Sequence, residues 1–166
     1  MPLTPFHFGP GAVVHAVAPK QVSFLAFCAA NILIDIEPLY YMVTQQLPLH
    51  RFFHTYIGAT VILLGTLVLF TGGIKVASLV ALPNVFGWQQ LTSRPVAVGA
   101  ALGSYSHVAL DSIMHADIRP FAPLSDDNPL LHTLSLSALH WSCIAAGIVG
   151  LIIIGIRDVL SRDNGL

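Results

Sequence analysis

Two stretches of the chain stay apolar over the length of helix, around 20 residues, that crosses a bilayer core about 30 Å thick. They are Phe52 to Phe70 and Leu134 to Ile156, and the pattern predicts a membrane-crossing helix over each. Val96 to Met114 predicts a third, rich in the Ala, Gly and Ser that let helices pack closely, although it carries His107 and Asp111. Val22 to Tyr41 predicts a fourth, interrupted near its end by Asp35, Glu37 and Pro38. Pro5 to Ala18 reads as a short helix, roughly 21 Å long at about 1.5 Å per residue, closed by a turn at Pro19-Lys20. From Ile74 to Ser93 the chain is mildly apolar but broken by Pro83-Asn84 and Gln89-Gln90, the pattern of an interfacial or re-entrant segment. The expected fold is an all-α integral membrane bundle of about five helices plus that segment, forming one domain over residues 1–166 without internal repeats.

Composition strengthens the membrane assignment. Of 166 residues, 55% are apolar and 9% charged, whereas soluble domains carry roughly 25% charged residues. The net charge of -1 lacks the basic footprint of a nucleic-acid binder, so no nucleic-acid partner is expected. Cys28 and Cys143 lie far apart in apolar runs and read as packing residues rather than a disulfide. No basic region precedes an apolar run near the amino terminus, so a cleavable signal is not expected.

The predicted spans gather His7, Asp35, Glu37, His50, His54, Asp111, His115 and the loop from Ala116 to Thr133 on one side. Lys20, Lys75, Arg94, Arg157 and Arg162 fall on the other, against Arg51 and Arg119 on the polar side. By the positive-inside rule the basic side is cytoplasmic. The expected location is the inner (plasma) membrane, multi-pass, with the polar groups facing the periplasm or exterior. The pattern leaves the oligomeric state open.

An ionisable group at mid-membrane costs about 2.5 to 3.5 kcal/mol on insertion scales, so acids and histidines kept inside spans need a compensating reason. Metal coordination is one. His107, Asp111 and His115 recur every four residues, which on a helix stacks them along one face about 5 to 6 Å apart. Such a row feeds one metal or bridges two. His50 and His54 have the same spacing and can converge on an ion, with Arg51 between them suited to a phosphate. In Asp35-Ile-Glu37-Pro38 the proline disfavours helix at Glu37, and an opened backbone would let the carboxylates reach inward. His7 lies at the polar end of its helix, eight residues before His15. Simpler readings apply elsewhere: His140 as a hydrogen-bonding partner between helices, His132 as a loop residue, and Asp126-Asp127 as turn chemistry.

The order of these elements, an early histidine, an acidic pair, a His-Arg motif and then Ser-His-x-x-x-Asp before a proline-rich loop, resembles the bacterial inner-membrane, LexA-regulated family of metal-dependent hydrolases. The resemblance covers residues 6 to about 125. His7 or His15 stands for the early histidine, Asp35 and Glu37 for the family's Asp-x-Asp, and His50, Arg51 and His54 for its His-Arg-Gly-x-Thr-His. His107 and Asp111 match the last motif. Two departures stand out: Glu replaces the second Asp, and the His-Arg motif is one residue shorter without its Gly-Thr. The resemblance implies kinship with zinc-dependent phospholipase C and the single-strand nucleases, helical enzymes that cut phosphate esters with clustered zinc.

The expected function is therefore a membrane-embedded, metal-dependent hydrolase of a phosphate ester, either a small molecule or a lipid. His7, Asp35, Glu37, His50, His54, His107, Asp111 and His115 would hold one to three Zn2+ ions, with Mn2+ or Fe as alternatives. Arg51 or Arg119 would neutralise the phosphate, and Glu37 or Asp126 would move protons. The rival readings are a metal-ion transporter, since intramembrane His and Asp rows also mark ion paths, and a metal-binding or merely packed membrane protein without catalysis.

Overall fold

The structure, a computed structural model, describes residues 4–84 and 88–163, the side chains of Thr4, Arg162 and Asp163 excepted. It contains five α-helices: α1 (Phe8–Val17), α2 (Phe24–Val43), α3 (Tyr56–Leu79), α4 (Ser93–Met114) and α5 (Leu136–Asp163). Short 3-10 turns occupy Thr4–His7, Phe52–His54 and Trp88–Gln90, and there is no β-strand among the described residues. Three helices, α2, α3 and α5, are long and apolar enough to cross a membrane. The ten residues of α1 span about 15 Å, half a bilayer core. Helix α4 has the length but is less apolar. Ser104, His107, Asp111 and Ser112 lie on it, all buried against protein.

Two boundaries differ from the sequence pattern. Helix α2 does not open at Glu37 but continues through Pro38, which is itself buried, to Val43. Asp35 and Glu37 thus project from a continuous helix. Helix α3 begins later than Phe52 and runs through Gly72 and Gly73 to Leu79, absorbing the first part of the expected interfacial segment. Breaking a helix in lipid strands backbone donors and acceptors at several kcal/mol each, more than the roughly 1 kcal/mol a helical glycine costs. Of the remaining segment, residues 80–84 form a turn and its exit, 88–90 a 3-10 turn, and 85–87 lie outside the described residues.

Close packing sets the site. Helices α2 and α4 run parallel in a constant register. The Ser23 amide donates to the Pro95 carbonyl at 2.9 Å. A Cβ at Gly99 would stand 2.2 Å from the Ser23 carbonyl oxygen, and one at Gly103 would stand 2.5 Å from that of Phe27. Only glycine lets the backbones approach this far. One turn further along each helix Asn31 meets His107, and one turn beyond that come Asp35 and Asp111. Around this seam Ala26, Ala30, Ile34, Ala59, Ile62, Val96, Ala100 and Val108 form a core of mostly small residues.

Helix α3 returns antiparallel to α4, with Tyr56 stacked near Tyr105 and the Thr60 hydroxyl 2.7 Å from that of Tyr105. Helices α1 and α5 also run parallel, from Gly9 against the Cys143 carbonyl to the Arg157 guanidinium donating to the Ala16 carbonyl at 2.7 Å. Three helices therefore run one way and two the other. His7, Asp35, His54 and Asp111 share one end with the loop after α4. That loop is pinned by Asn128 donating to the Ser112 carbonyl and by Tyr56 donating to the Pro120 carbonyl. Outward faces of α3 and α5 show Leu64, Val68, Ile148 and Leu151, as a lipid-facing surface requires.

Candidate metal centre

Three elements deliver four side chains to one buried cluster. Helix α2 supplies Asp35 and α4 supplies His107 and Asp111, aligned by their shared register. His54 comes from the 3-10 turn before α3. That turn sits on the first turn of α3 because Thr55 caps the helix, accepting from Gly58 N–H at 2.9 Å. A Cβ at Gly58 would lie 1.9 Å from the Phe52 carbonyl oxygen, so glycine is needed there too. His54, His107 and Asp111 are fully buried.

The distances are those at which these four groups could hold a cation. His107 Nε2 lies 3.2 Å from Asp35 Oδ1 and 3.3 Å from Asp111 Oδ2, and His54 Nε2 lies 3.8 and 3.5 Å from the same two oxygens. Ligands bound tetrahedrally at about 2.0 to 2.1 Å from zinc stand roughly 3.3 to 3.4 Å from each other. The observed separations bracket that edge. On His107 the other nitrogen is accounted for: Nδ1 is 3.0 Å from Asn31 Oδ1, while the Asn31 amide nitrogen donates to the Phe27 carbonyl at 2.8 Å. The amide orientation puts a proton on Nδ1 and turns Nε2 toward two carboxylate oxygens. That arrangement is favourable where Nε2 carries a proton of its own and donates to them, or where a metal cation lies between.

A second group shares Asp111. His50 and His115, with Asp111, place one ligand atom each within 4.8 Å of one another, as do Asp35, His54, His107 and Asp111. His50 Nδ1 is 3.0 Å from both oxygens of Asp117, and that carboxylate also accepts from the backbone N–H groups of Leu49 and His50 at 3.2 Å. This leaves the buried Nε2 of His50, like that of His115, with no hydrogen bond. Burial, with the neighbouring His54 charge, holds His50 below the ordinary imidazole pKa against the pull of Asp117. Burial does the same to His115. Neutral imidazole is the form that binds metal. Burial pushes Asp117 upward, but the side-chain and backbone hydrogen bonds from His50, with its charge, together outweigh it and leave the carboxyl below its usual value.

The remaining candidates are placed as follows. His7 Nε2 lies 3.0 Å from Asp111 Oδ1, its ring stacked 4.4 Å from that of His107. His15, by contrast, bonds the Val22 carbonyl at 2.8 Å in the α1–α2 turn. Glu37 Oε2 accepts from the backbone N–H groups of Arg51 and Phe53 at 3.1 and 2.9 Å and stands 3.7 Å from His54 Nδ1. In this arrangement it anchors the turn that carries His54. Arg51 donates to the Pro48 and Leu47 carbonyls and lies 3.7 Å over the Tyr41 ring. Arg119 and Asp126 form an exposed ion pair at 2.8 Å, so Asp126 is engaged at the surface rather than in the cluster. His140 stacks on Phe6 rather than bridging helices by a hydrogen bond, and His132 is in the loop.

Asn31 and Asp117 escaped the sequence reading. Asn31 precedes Asp35 by four residues, the spacing that flagged the α4 row, and was legible on that ground. Asp117 carries no such signal, because a folded loop brings it to His50.

Two clefts meet at His50, Asp117 and Pro48. One, about 700 Å³, has Asp35, His50 and His115 on its inner side and Pro38, Leu39, Met42, Leu47 and Leu49 as walls. The other, about 630 Å³, is lined by Arg51, Phe52, Thr55, Arg119 and Pro123. No protein-family model matches the chain, and no curated protein or solved structure is significantly similar to it.

Proposed function

We propose that the protein is a membrane-embedded, metal-dependent hydrolase of phosphate esters, with two zinc ions that share Asp111. Asp35, His54, His107 and Asp111 would hold one ion, and His50, His115 and Asp111 the other, with His7 supporting Asp111. Imidazole and carboxylate donors suit zinc. Bound zinc supplies Lewis acidity and, from water, a hydroxide nucleophile near neutral pH. The new P–O bond forms from water, the ester P–O bond breaks, and the water proton leaves on the departing alcohol. The resemblance to the LexA-regulated hydrolase family points to the same activity.

The observation that carries this reading is that the cluster is not sealed. Structural zinc sites are closed, whereas catalytic ones keep access for water and substrate, and here Asp35, His50 and His115 line an open cleft. A transport path would instead need ligands along the depth of several spans, yet the grouped residues all sit at one end of the bundle.

Metal analysis of the detergent-purified protein, paired with hydrolysis of p-nitrophenyl phosphate and its diester, tests the proposal. Stoichiometric zinc is expected, with activity lost to a chelator and restored by Zn2+. Protein that holds no stoichiometric metal and whose activity ignores His107→Ala would refute it.

A further inference from the structure

We propose that the substrate is an amphiphile whose apolar chain lies in the cleft between the end of α2 and residues 47–49, entering sideways from the membrane, with its phosphate against His50 and His115. The position of the reacting group rests on the hydrolase reading. The position of the chain rests on the cleft alone.

The cleft is divided by chemistry. Its ionisable groups, Asp35, His50, His115 and Asp117, belong to the metal cluster or its support, while every other lining residue is Leu, Met or Pro. A sugar phosphate or nucleotide would set hydroxyls and ring nitrogens against those walls with nothing to bond them, which is costly. A hydrocarbon chain meets no such penalty. At the rim Leu39 is 57% and Leu47 81% exposed. Leu39 belongs to a helix long and apolar enough to cross a membrane, so the opening on its side looks toward lipid. Across the His50–Asp117 pair the second cleft carries Arg51 and Arg119. The reacting position therefore stands between an apolar chamber and a more polar one, the division a lipid with a polar head presents.

Two measurements on the full-length protein in detergent micelles test this. The first is photolabelling with a lysophosphatidic acid that carries a diazirine near the end of its single acyl chain. Adducts are expected in the peptide spanning residues 38–49. The double substitution Leu39→Gln and Leu47→Gln should lower that labelling about tenfold, since one apolar contact in a pocket is worth about tenfold or more. The second compares metal-dependent release of phosphate from oleoyl lysophosphatidic acid and from glycerol phosphate, which share the scissile group and differ in the chain. A kcat/KM ratio favouring the lipid, reduced in the double variant, supports the proposal. Adducts confined to the outward faces of α3 and α5, or glycerol phosphate cleaved as efficiently as the lipid, would overturn it. Labelling in the cleft without metal-dependent hydrolysis of either ester would uphold the lipid site and refute the hydrolase reading.

Discussion

Asn31 accepts the Nδ1 proton of His107 across the α2–α4 seam at 3.0 Å, and this bond decides which imidazole nitrogen faces the carboxylates. Because the Asn31 amide nitrogen is tied to the Phe27 carbonyl, the amide cannot turn over without losing a buried hydrogen bond. Nε2 is thereby committed to Asp35 and Asp111.

Removing that support should weaken the metal without removing a ligand. Loss of a partner that orients a ligating imidazole typically lowers metal affinity 10- to 100-fold. Asn31→Leu is expected to fall in roughly that range by competition against a zinc-binding dye. Asn31→Asp, which keeps an acceptor in place, should retain most of the affinity. Equal affinity for Asn31→Leu and the native protein would remove His107 from the ligand set.

Asp111 is the residue common to both groups, so its loss should be felt by both. Asp111→Asn should abolish stoichiometric metal altogether, whereas His115→Ala should leave the Asp35, His54 and His107 group able to bind. Inductively coupled plasma analysis of the purified variants distinguishes these outcomes. Chelation of the native protein should also lower its melting temperature, because bound ligand stabilises the folded state by mass action.

Much of this centre was legible in the sequence because helical spacing is local information. His107 and Asp111 follow from the repeat of four alone, and placing them beside Asp35 needed only the direction of the spans. His115 does not continue the row, because α4 ends at Met114 and the extended backbone of His115 turns its ring to His50. Two further things were not legible. Pro38 suggested an opened backbone after Glu37, but a proline near the carboxyl end of a helix removes only one internal hydrogen bond, and the bilayer favours keeping the rest. Glu37 accordingly reaches the Arg51 and Phe53 amides from an intact helix. Membership of the loop places Asp126 on the side of the site, yet loop contacts are long-range: Asp126 pairs with Arg119 at the surface while Asp117 turns inward to His50.

That contrast between two loop carboxylates is testable. Asp117→Ala should weaken the His50, His115 and Asp111 group by roughly 10- to 100-fold, seen as loss of one phase in a two-phase zinc titration. Asp126→Asn should leave the titration unchanged and alter stability by less than about 1 kcal/mol, as is usual for an exposed ion pair.

The register of α2 on α4 makes the final prediction, because it links packing directly to the site. A Cβ at Gly103 would stand 2.5 Å from the Phe27 carbonyl oxygen and 3.1 Å from the Asn31 amide nitrogen. Relief of that clash requires the helices to part, since a backbone carbonyl cannot rotate away. Parting them lengthens the Asp35 to His107 separation and loosens the ligand cage. Gly103→Ala should therefore lower both the melting temperature and the zinc affinity. Gly65→Ala, on α3 where nothing lies within 4 Å, should stabilise the helix by roughly 0.5 to 1 kcal/mol with zinc affinity unchanged. Thermal unfolding followed by circular dichroism in detergent, run beside the dye competition, reads both quantities. A Gly103→Ala protein that melts lower yet binds zinc as tightly as the native chain would show that the seam and the metal centre are mechanically independent.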